Sequence, residues 1–317
     1  MKKLLLFVLS LALFAGAAFA QAKKKAAKEP AKPAAAPVTV IVAAGEASGG
    51  VDQALNANLE RFLGVPLEIT AVDREAALKD AKYAGLNLDY MPLYLLGKTK
   101  LTEEKFGEHV KQGYLKDNKD FIIFEKATRL GTHMNNPRKP GVLELFVMSQ
   151  CPYGAMAEGR VIEALNKGRI PEHIKVDVRY IVSEGGGEGK NAFRSLHGTG
   201  EWEENIRQLI IKDKYPNKFW KYLEIRNEDY QSSLWDVAAK KAGINPKVFG
   251  KEWKRGVELL KQEAKYGEKI GVSASPTFLW EGRVVTDING LAGIPGLEGI
   301  ANASPKNAPS APAGGQC

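Results

Sequence analysis

Two sulfur nucleophiles occur in the 317 residues, Cys151 and Cys317. Cys151 follows an apolar run from Leu143 to Met148 and the polar pair Ser149-Gln150, and it opens the sequence Cys151-Pro152-Tyr153-Gly154. The spacing predicts a strand before it and a helix directly after it. A thiol at such a junction faces the unpaired first-turn N–H groups and the positive end of the helix dipole, which favour thiolate over thiol. Pro152 fits the first helical turn, where a missing N–H does no harm. The thiolate is the species that attacks disulfides, so thiol–disulfide exchange at Cys151 is the expected chemistry. The plain alternative is a buried, inert cysteine serving as a small hydrophobe.

The elements that must position this thiol occur twice. Residues 38–56 and 143–166 can be laid against each other as strand, short polar turn and helix. Residues 66–72 and 174–180 alternate with period two and read as second strands. Met91-Pro92 and Ser275-Pro276 then each place a proline directly before a further strand. In the second copy a predominantly helical stretch, about 186–268, separates the second strand from the proline strand, with Asn245 and Pro246 marking one helix start and Gly243 a helix end. The turn-rich stretch Gly131–Gly141 reads as the boundary, giving domains at 38–130 and 142–300.

The ends of the chain are of another kind. Met1-Lys2-Lys3, an apolar run from Leu4 to Phe14 and a small-residue exit ending at Ala20 read as a secretory signal over residues 1–20. Residues 21–37 and 301–317 are rich in Ala, Pro, Lys and Gly and read as a flexible linker and a flexible tail. No further stretch is long and apolar enough to span a membrane. The expected location is therefore periplasmic or secreted. Two cysteines in such a compartment exclude a disulfide-stapled scaffold, and 44% hydrophobic against 26% charged residues suffices for ordinary cores.

The sequence around Cys151, the helical stretch and Ser275-Pro276-Thr277 resemble the DsbA-like branch of thioredoxin-fold oxidoreductases, over about residues 142–300; residues 195–227 also resemble the region inserted in bacterial members. A more distant likeness is to the gamma-interferon-inducible lysosomal thiol reductases. The resemblance implies an α/β architecture of two tandem thioredoxin-like domains, the second with a DsbA-like helical insertion. It also implies a catalytic set Cys151, Pro152, Tyr153 and Gly154, and a cis-proline loop at Ser275, Pro276 and Thr277 that binds substrate backbone. The departure is Gly154, which stands where the family has its resolving cysteine. No dithiol can close within the motif, which favours isomerase-like or reductase-like turnover over net oxidation. Release of a mixed disulfide then needs the substrate's own thiol, a small thiol, or Cys317. A tail of roughly sixteen residues spans on the order of 20–24 Å, so Cys317 is a candidate tethered resolving thiol; otherwise it is a bystander. The first copy has Gly45–Gly50 at the corresponding turn, without sulfur, and is expected to be redox-inactive.

Other chemistries find little support. His109, His133, His173 and His197 are scattered, so no metal is expected. Gly185–Gly189 lacks the Gly-Lys-Ser/Thr ending of a phosphate loop. The net charge of +8 owes much to Lys2, Lys3, Lys23, Lys24 and Lys25, and no basic, aromatic-interleaved motif suggests nucleic acid. No cofactor is expected. The expected partners are exported cysteine-containing proteins or a small thiol. The competing readings are a redox-inactive substrate-binding or chaperone protein and a glutathione-transferase-like enzyme.

Overall fold

The first apolar run, Ala36–Val42, forms β1 with Val38, Val40 and Ile41 buried. It lies in a computed structural model that describes residues 34–45, 48–128, 130–187, 189–305 and 315–317. The expected signal (1–20) and residues 21–33 of the expected linker lie outside the described residues. The linker's last two positions belong to β1, because Pro37 sits near a strand start, where its missing N–H removes little from the ladder.

After β1 the chain forms α1 (Gln53–Leu63), whose first turn is capped by the Asp52 side chain accepting from the Leu55 N–H at 2.9 Å, and which stops at Gly64 with φ +75°. Then come β2 (Leu67–Asp73), a turn of helix α2 (Arg74–Ala77), β3 (Tyr90–Met91), β4 (Leu93–Gly97), α3 (Lys100–Lys111), β5 (Lys116–Asp117) and β6 (Phe121–Phe124). They make a sheet of order β2-β1-β4-β6-β5, with β1 parallel to β2 and antiparallel to β4.

The second half repeats the strand–helix–parallel strand opening of this plan and its proline-led antiparallel strand, and differs after it. β7 (Gly131–His133) leads to β8 (Val142–Val147), α4 (Pro152–Asn166) and β9 (Lys175–Tyr180), and a small ribbon follows from β10 (Ser183–Glu184) and β11 (Phe193–Arg194). Helices α5 (Thr199–Lys214), α6 (Pro216–Asn227), α7 (Trp235–Lys241) and α8 (Lys247–Ile270) come before β12 (Thr277–Trp280), β13 (Val284–Thr286) and α9 (Glu298–Ala301). The second sheet has the order β3-β7-β13-β12-β8-β9, with β8 parallel to β9 and antiparallel to β12. Each half thus has a parallel pair joined through a helix, beside antiparallel strands entered through a proline. This is the α/β thioredoxin arrangement in tandem, the second copy carrying α5–α8 as its insertion. The N-cap of α8 is Pro246 rather than the expected Asn245, so the helix begins one residue later; the Asn245 side chain still accepts from the Lys247 N–H at 3.1 Å.

Two short strands depart from the sequence expectation. Tyr90–Met91, from the first half, pairs with Gly131–His133, from the turn-rich stretch, which in turn pairs with β13, so both lie in the second sheet. The described residues from 35 onward accordingly form a single compact unit.

The core that fixes α4 consists of Leu143, Leu145 and Val147 from β8, Val161 and Ala164 from α4, and Ile206, Ile210, Tyr222 and Leu260 from the insertion. Each large apolar side chain among them contributes about 1.5–3 kcal/mol on burial. Glu144, fully buried on β8, is satisfied by Lys139 at 2.9 Å, Arg179 at 3.1 Å and the Tyr266 hydroxyl at 2.8 Å.

The expected tail is packed at both its described ends. Arg160 donates to the Ala301 carbonyl at 2.7 Å, which ties α9 to α4, and Ala303 is buried. Pro305 lies against Gly159, its ring at van der Waals distance, 3.4 Å, from where a Cβ would stand. Residues 306–314 lie outside the described residues.

Candidate active site

Cys151 is the N-cap of α4, with Pro152 at the first helical position, as the residue order predicts. Its N–H donates to the Met148 carbonyl at 3.0 Å and its carbonyl accepts from the Ala155 N–H at 3.0 Å, so the sulfur leaves the chain where the strand ends and the helix begins. The first-turn amides beyond it have no acceptor within the helix. Cys151 is fully buried.

Ser275-Pro276, joined by a cis peptide bond, forms the opposite wall. The Ser275 hydroxyl accepts from the Met148 N–H at 2.9 Å, and the Ser275 carbonyl oxygen lies 3.5 Å from Cys151 Sγ. Gly154 faces the same serine: a Cβ there would stand 2.7 Å from Ser275 Oγ and 3.1 Å from the Met148 carbonyl. The space a second motif cysteine would need is therefore taken by Ser275. The Thr277 hydroxyl donates to the Ala274 carbonyl at 2.7 Å, closing the loop around Pro276, while the Thr277 backbone pairs with Phe146.

The second sulfur arrives from the far end of the chain. Cys151 and Cys317 are joined in a disulfide with Cα atoms 6.1 Å apart. The last three residues dock beside the loop that leads into Pro276. Cys317 N–H donates to the Ser275 carbonyl at 2.9 Å and Ser275 N–H to the Cys317 carbonyl at 3.2 Å, the reciprocal exchange of an antiparallel pair. Gln316 Nε2 donates to the Pro276 carbonyl at 2.7 Å, and Gly315 lies against the Tyr153 ring. The structure thus brings Cys151, Tyr153, Gly154, Ser275, Pro276 and Cys317 together. It also lifts one restriction expected from the motif: a disulfide that cannot close within Cys151–Gly154 closes over a separation of 166 residues instead.

A support that sequence reasoning missed stands behind the turn. Glu201, fully buried at the start of α5, accepts from the Gln150 N–H at 3.1 Å and bonds His197 Nδ1 at 2.6 Å and the Ser195 hydroxyl, while its own carbonyl accepts from the Ser149 hydroxyl at 3.1 Å. The insertion thereby fixes the two residues that precede the nucleophile. A glutamate in a first helical turn ordinarily reads as a solvated complement to the helix dipole, so its residue type gave no signal of burial. Among the described residues no cluster of His, Cys, Asp and Glu could hold a metal ion, and no helix is long and apolar enough to cross a membrane.

No family model matches the chain, and no curated protein matches it. Solved structures similar to it are DsbA-like and thioredoxin-like proteins at low identity and partial coverage. A periplasmic thioredoxin-like protein from Salmonella enterica serovar Typhimurium is 17% identical, over 45% of this chain and 76% of that one, with a TM-score of 0.31. The DsbA disulfide interchange protein from Klebsiella pneumoniae is 17% identical, over 57% and 93%, with a TM-score of 0.34. Proteus mirabilis DsbA, in complex with a non-covalently bound peptide, is 11% identical, over 56% and 92%, with a TM-score of 0.34. At this distance the chemistry of the site rests on its own geometry.

Proposed function

We propose that this chain is an exported thiol–disulfide oxidoreductase in which Cys151 is the nucleophile and Cys317 its resolving thiol. In this reading residues 142–300 form the catalytic module and residues 38–130 a redox-inactive one that serves packing or binding. Export rests on the signal-like residues 1–20. The observation that carries the chemistry is the Cys151–Cys317 disulfide at the start of α4, against the edge of Ser275.

The steps balance without a cofactor. In the reduced protein the Cys151 thiolate attacks one sulfur of a substrate disulfide; the substrate S–S bond breaks, and its other sulfur leaves with the electron pair and takes a proton. Cys317, as thiolate, then attacks Cys151 Sγ, forms the internal disulfide and releases the second substrate thiol. Two electrons have passed from the protein to the substrate, and run in reverse the same steps oxidise a substrate dithiol. Isomerisation follows when a substrate thiol attacks the mixed disulfide before Cys317 does. The partners are exported proteins with cysteines, or a small thiol that resets the pair.

The test combines mapping with trapping. Non-reducing digestion of the wild-type protein is expected to give one peptide pair joining Cys151 to Cys317 within a monomer, Cys317→Ser to accumulate mixed disulfides on Cys151, and Cys151→Ser to lose exchange altogether. Alkylation of reduced Cys151 should show a midpoint below the free-thiol value of about 8.5. Exchange that survives in Cys151→Ser, or two free thiols after equilibration with a mild oxidant, would overturn the reading.

A further inference from the structure

The docked end of the chain shows what this edge accepts, and Tyr153 sets the condition. In an extended segment side chains alternate from face to face. Once the cysteine of a bound segment points at Cys151, the residue two positions earlier faces the same way, toward the first turn of α4. Tyr153 stands there, two residues after Cys151. In the docked segment that position is Gly315, and a Cβ added to it would overlap the edge of the Tyr153 ring at Cε1 and Cζ and stand 2.6 Å from the hydroxyl oxygen, so the ring or the segment would have to shift. The residue between them, Gln316, turns to the Pro276 carbonyl and is not confined by the ring. The reciprocal bonds between Cys317 and Ser275 fix the register, so a bound segment cannot slide to relieve the clash without losing both.

We infer that Tyr153 is a specificity-determining residue that admits glycine, and disfavours larger residues, two positions before the reacting cysteine. The polypeptide partners this site fits are extended segments of the pattern Gly-Xaa-Cys. Gly315-Gln316-Cys317 is one such segment carried by the chain itself, and an outside segment must displace it. The inference deepens the proposed function and rests on Cys151 being exchange-competent.

The test uses full-length, reduced Cys317→Ser protein and three N-acetylated, C-amidated peptides, Gly-Gln-Cys, Ala-Gln-Cys and Val-Gln-Cys, each carrying nitrothiobenzoate in disulfide linkage to the cysteine. Cys151 thiolate attacks the peptide sulfur, the new S–S bond joins protein and peptide, and the coloured aryl thiolate leaves with the electron pair. Overpacking by a methyl group is costly, so the Gly peptide should react at least about tenfold faster than the Ala and Val peptides. The ratio should collapse toward one in Tyr153→Ala and persist in Tyr153→Phe, whose ring carbons occupy the same place. Equal rates for the three peptides with Tyr153 intact, or a ratio that Tyr153→Ala leaves unchanged, would overturn the inference. If Cys151 instead reacts neither with the peptides nor with the free aryl disulfide reagent, it is the proposed function that fails, and this inference with it.

Discussion

The two proline loops of this chain are closed in the same way and serve different ends. Before Pro92, Met91 pairs antiparallel with Thr132, and Gly131 beside it approaches so closely that a Cβ would stand 2.5 Å from the Met91 carbonyl. Before Pro276, Ser275 pairs antiparallel with Cys317, and Gly315 approaches the Tyr153 ring. In the first half the covering segment is an internal strand held between β3 and β13, and Met91 is fully buried. In the second the cover is the segment Gly315–Cys317, held among the described residues by two backbone bonds, one glutamine and a bond that thiol chemistry can break. One geometry therefore gives a permanent joint between the sheets in one place and, in our reading, a removable cover over a nucleophile in the other. The difference lies in the sulfur and in how many other contacts the covering segment has.

The comparison can be broken most directly through stability in the two redox states. Only the second edge should respond to reductant. Cross-linking Cys151 to Cys317 restricts the unfolded chain, and a native disulfide typically contributes about 2–4 kcal/mol. Urea unfolding should therefore show the oxidised protein more stable than the reduced one by that order, with Cys317→Ser behaving like the reduced protein in either condition. Coincident midpoints with and without reductant would mean that the tail adds nothing beyond what Pro305 and α9 already fix.

A smaller contrast concerns charge. Behind the second edge, two helical turns along α4, Glu158 is buried and bonded to Asn227 at 2.7 Å. Burial, opposed by the Asn227 hydrogen bond and reinforced by Glu204, pushes its carboxyl up to about 7. A folded-state value above the unfolded one means that the folded chain binds the proton more tightly. That stabilisation is complete below the unfolded value of about 4.3 and is lost as pH rises through about 7. Between about pH 5 and about pH 8 the wild-type protein should lose on the order of 2–3 kcal/mol relative to Glu158→Gln, read from urea midpoints at each pH. Parallel pH dependences in the two proteins would show that the carboxyl is not held this way.

The smallest expected effect compares the two glycines. Gly131→Ala sets a methyl group against a backbone carbonyl and the Tyr90 ring in a packed sheet, and should lower stability by about 1–3 kcal/mol. Gly315→Ala should leave the melting of the reduced protein unchanged, because the segment it belongs to covers the edge without building the core. Equal losses at both positions would make the tail as structural as β7.

What could be read from the sequence follows the range of the interactions. The strand, Cys151-Pro152 and helix succession is local, and its apolar period and turn residues place it correctly. In the insertion, the helix end expected at Gly243 and the start expected at Asn245 and Pro246 lie within two residues of the end of α7 and the start of α8 for the same reason, since both are near-neighbour signals. The tandem plan was legible because each half opens on strand, helix and parallel strand and later places a proline before an antiparallel strand. Tyr90–Met91 and Gly131–His133 were not, for strands of two and three residues show no period and exist only through pairing over some forty residues of chain. Glu201 was invisible because burial is a tertiary property. The docking of Gly315–Cys317 was open because backbone pairing by Gly-Gln-Cys leaves no pattern; only the presence of a second sulfur hinted at it.

The packing of Pro305 against Gly159 bears on timing. Gly159 lies six positions after Tyr153 on the same helix, about 9 Å at 1.5 Å per residue, while Pro305 and Gly315 are ten positions apart, so the connection has covalent reach to spare at about 3.3–3.6 Å per extended residue. A thiol linked covalently within reach makes resolution an intramolecular step, for which effective concentrations are commonly in the millimolar range. A substrate held on Cys151 would then be released at a rate set within the molecule, and an outside thiol of equal reactivity at micromolar concentration would lose the race. In the proposed mechanism, residence on Cys151 becomes an internal clock, wound by the distance between Pro305 and the start of α4.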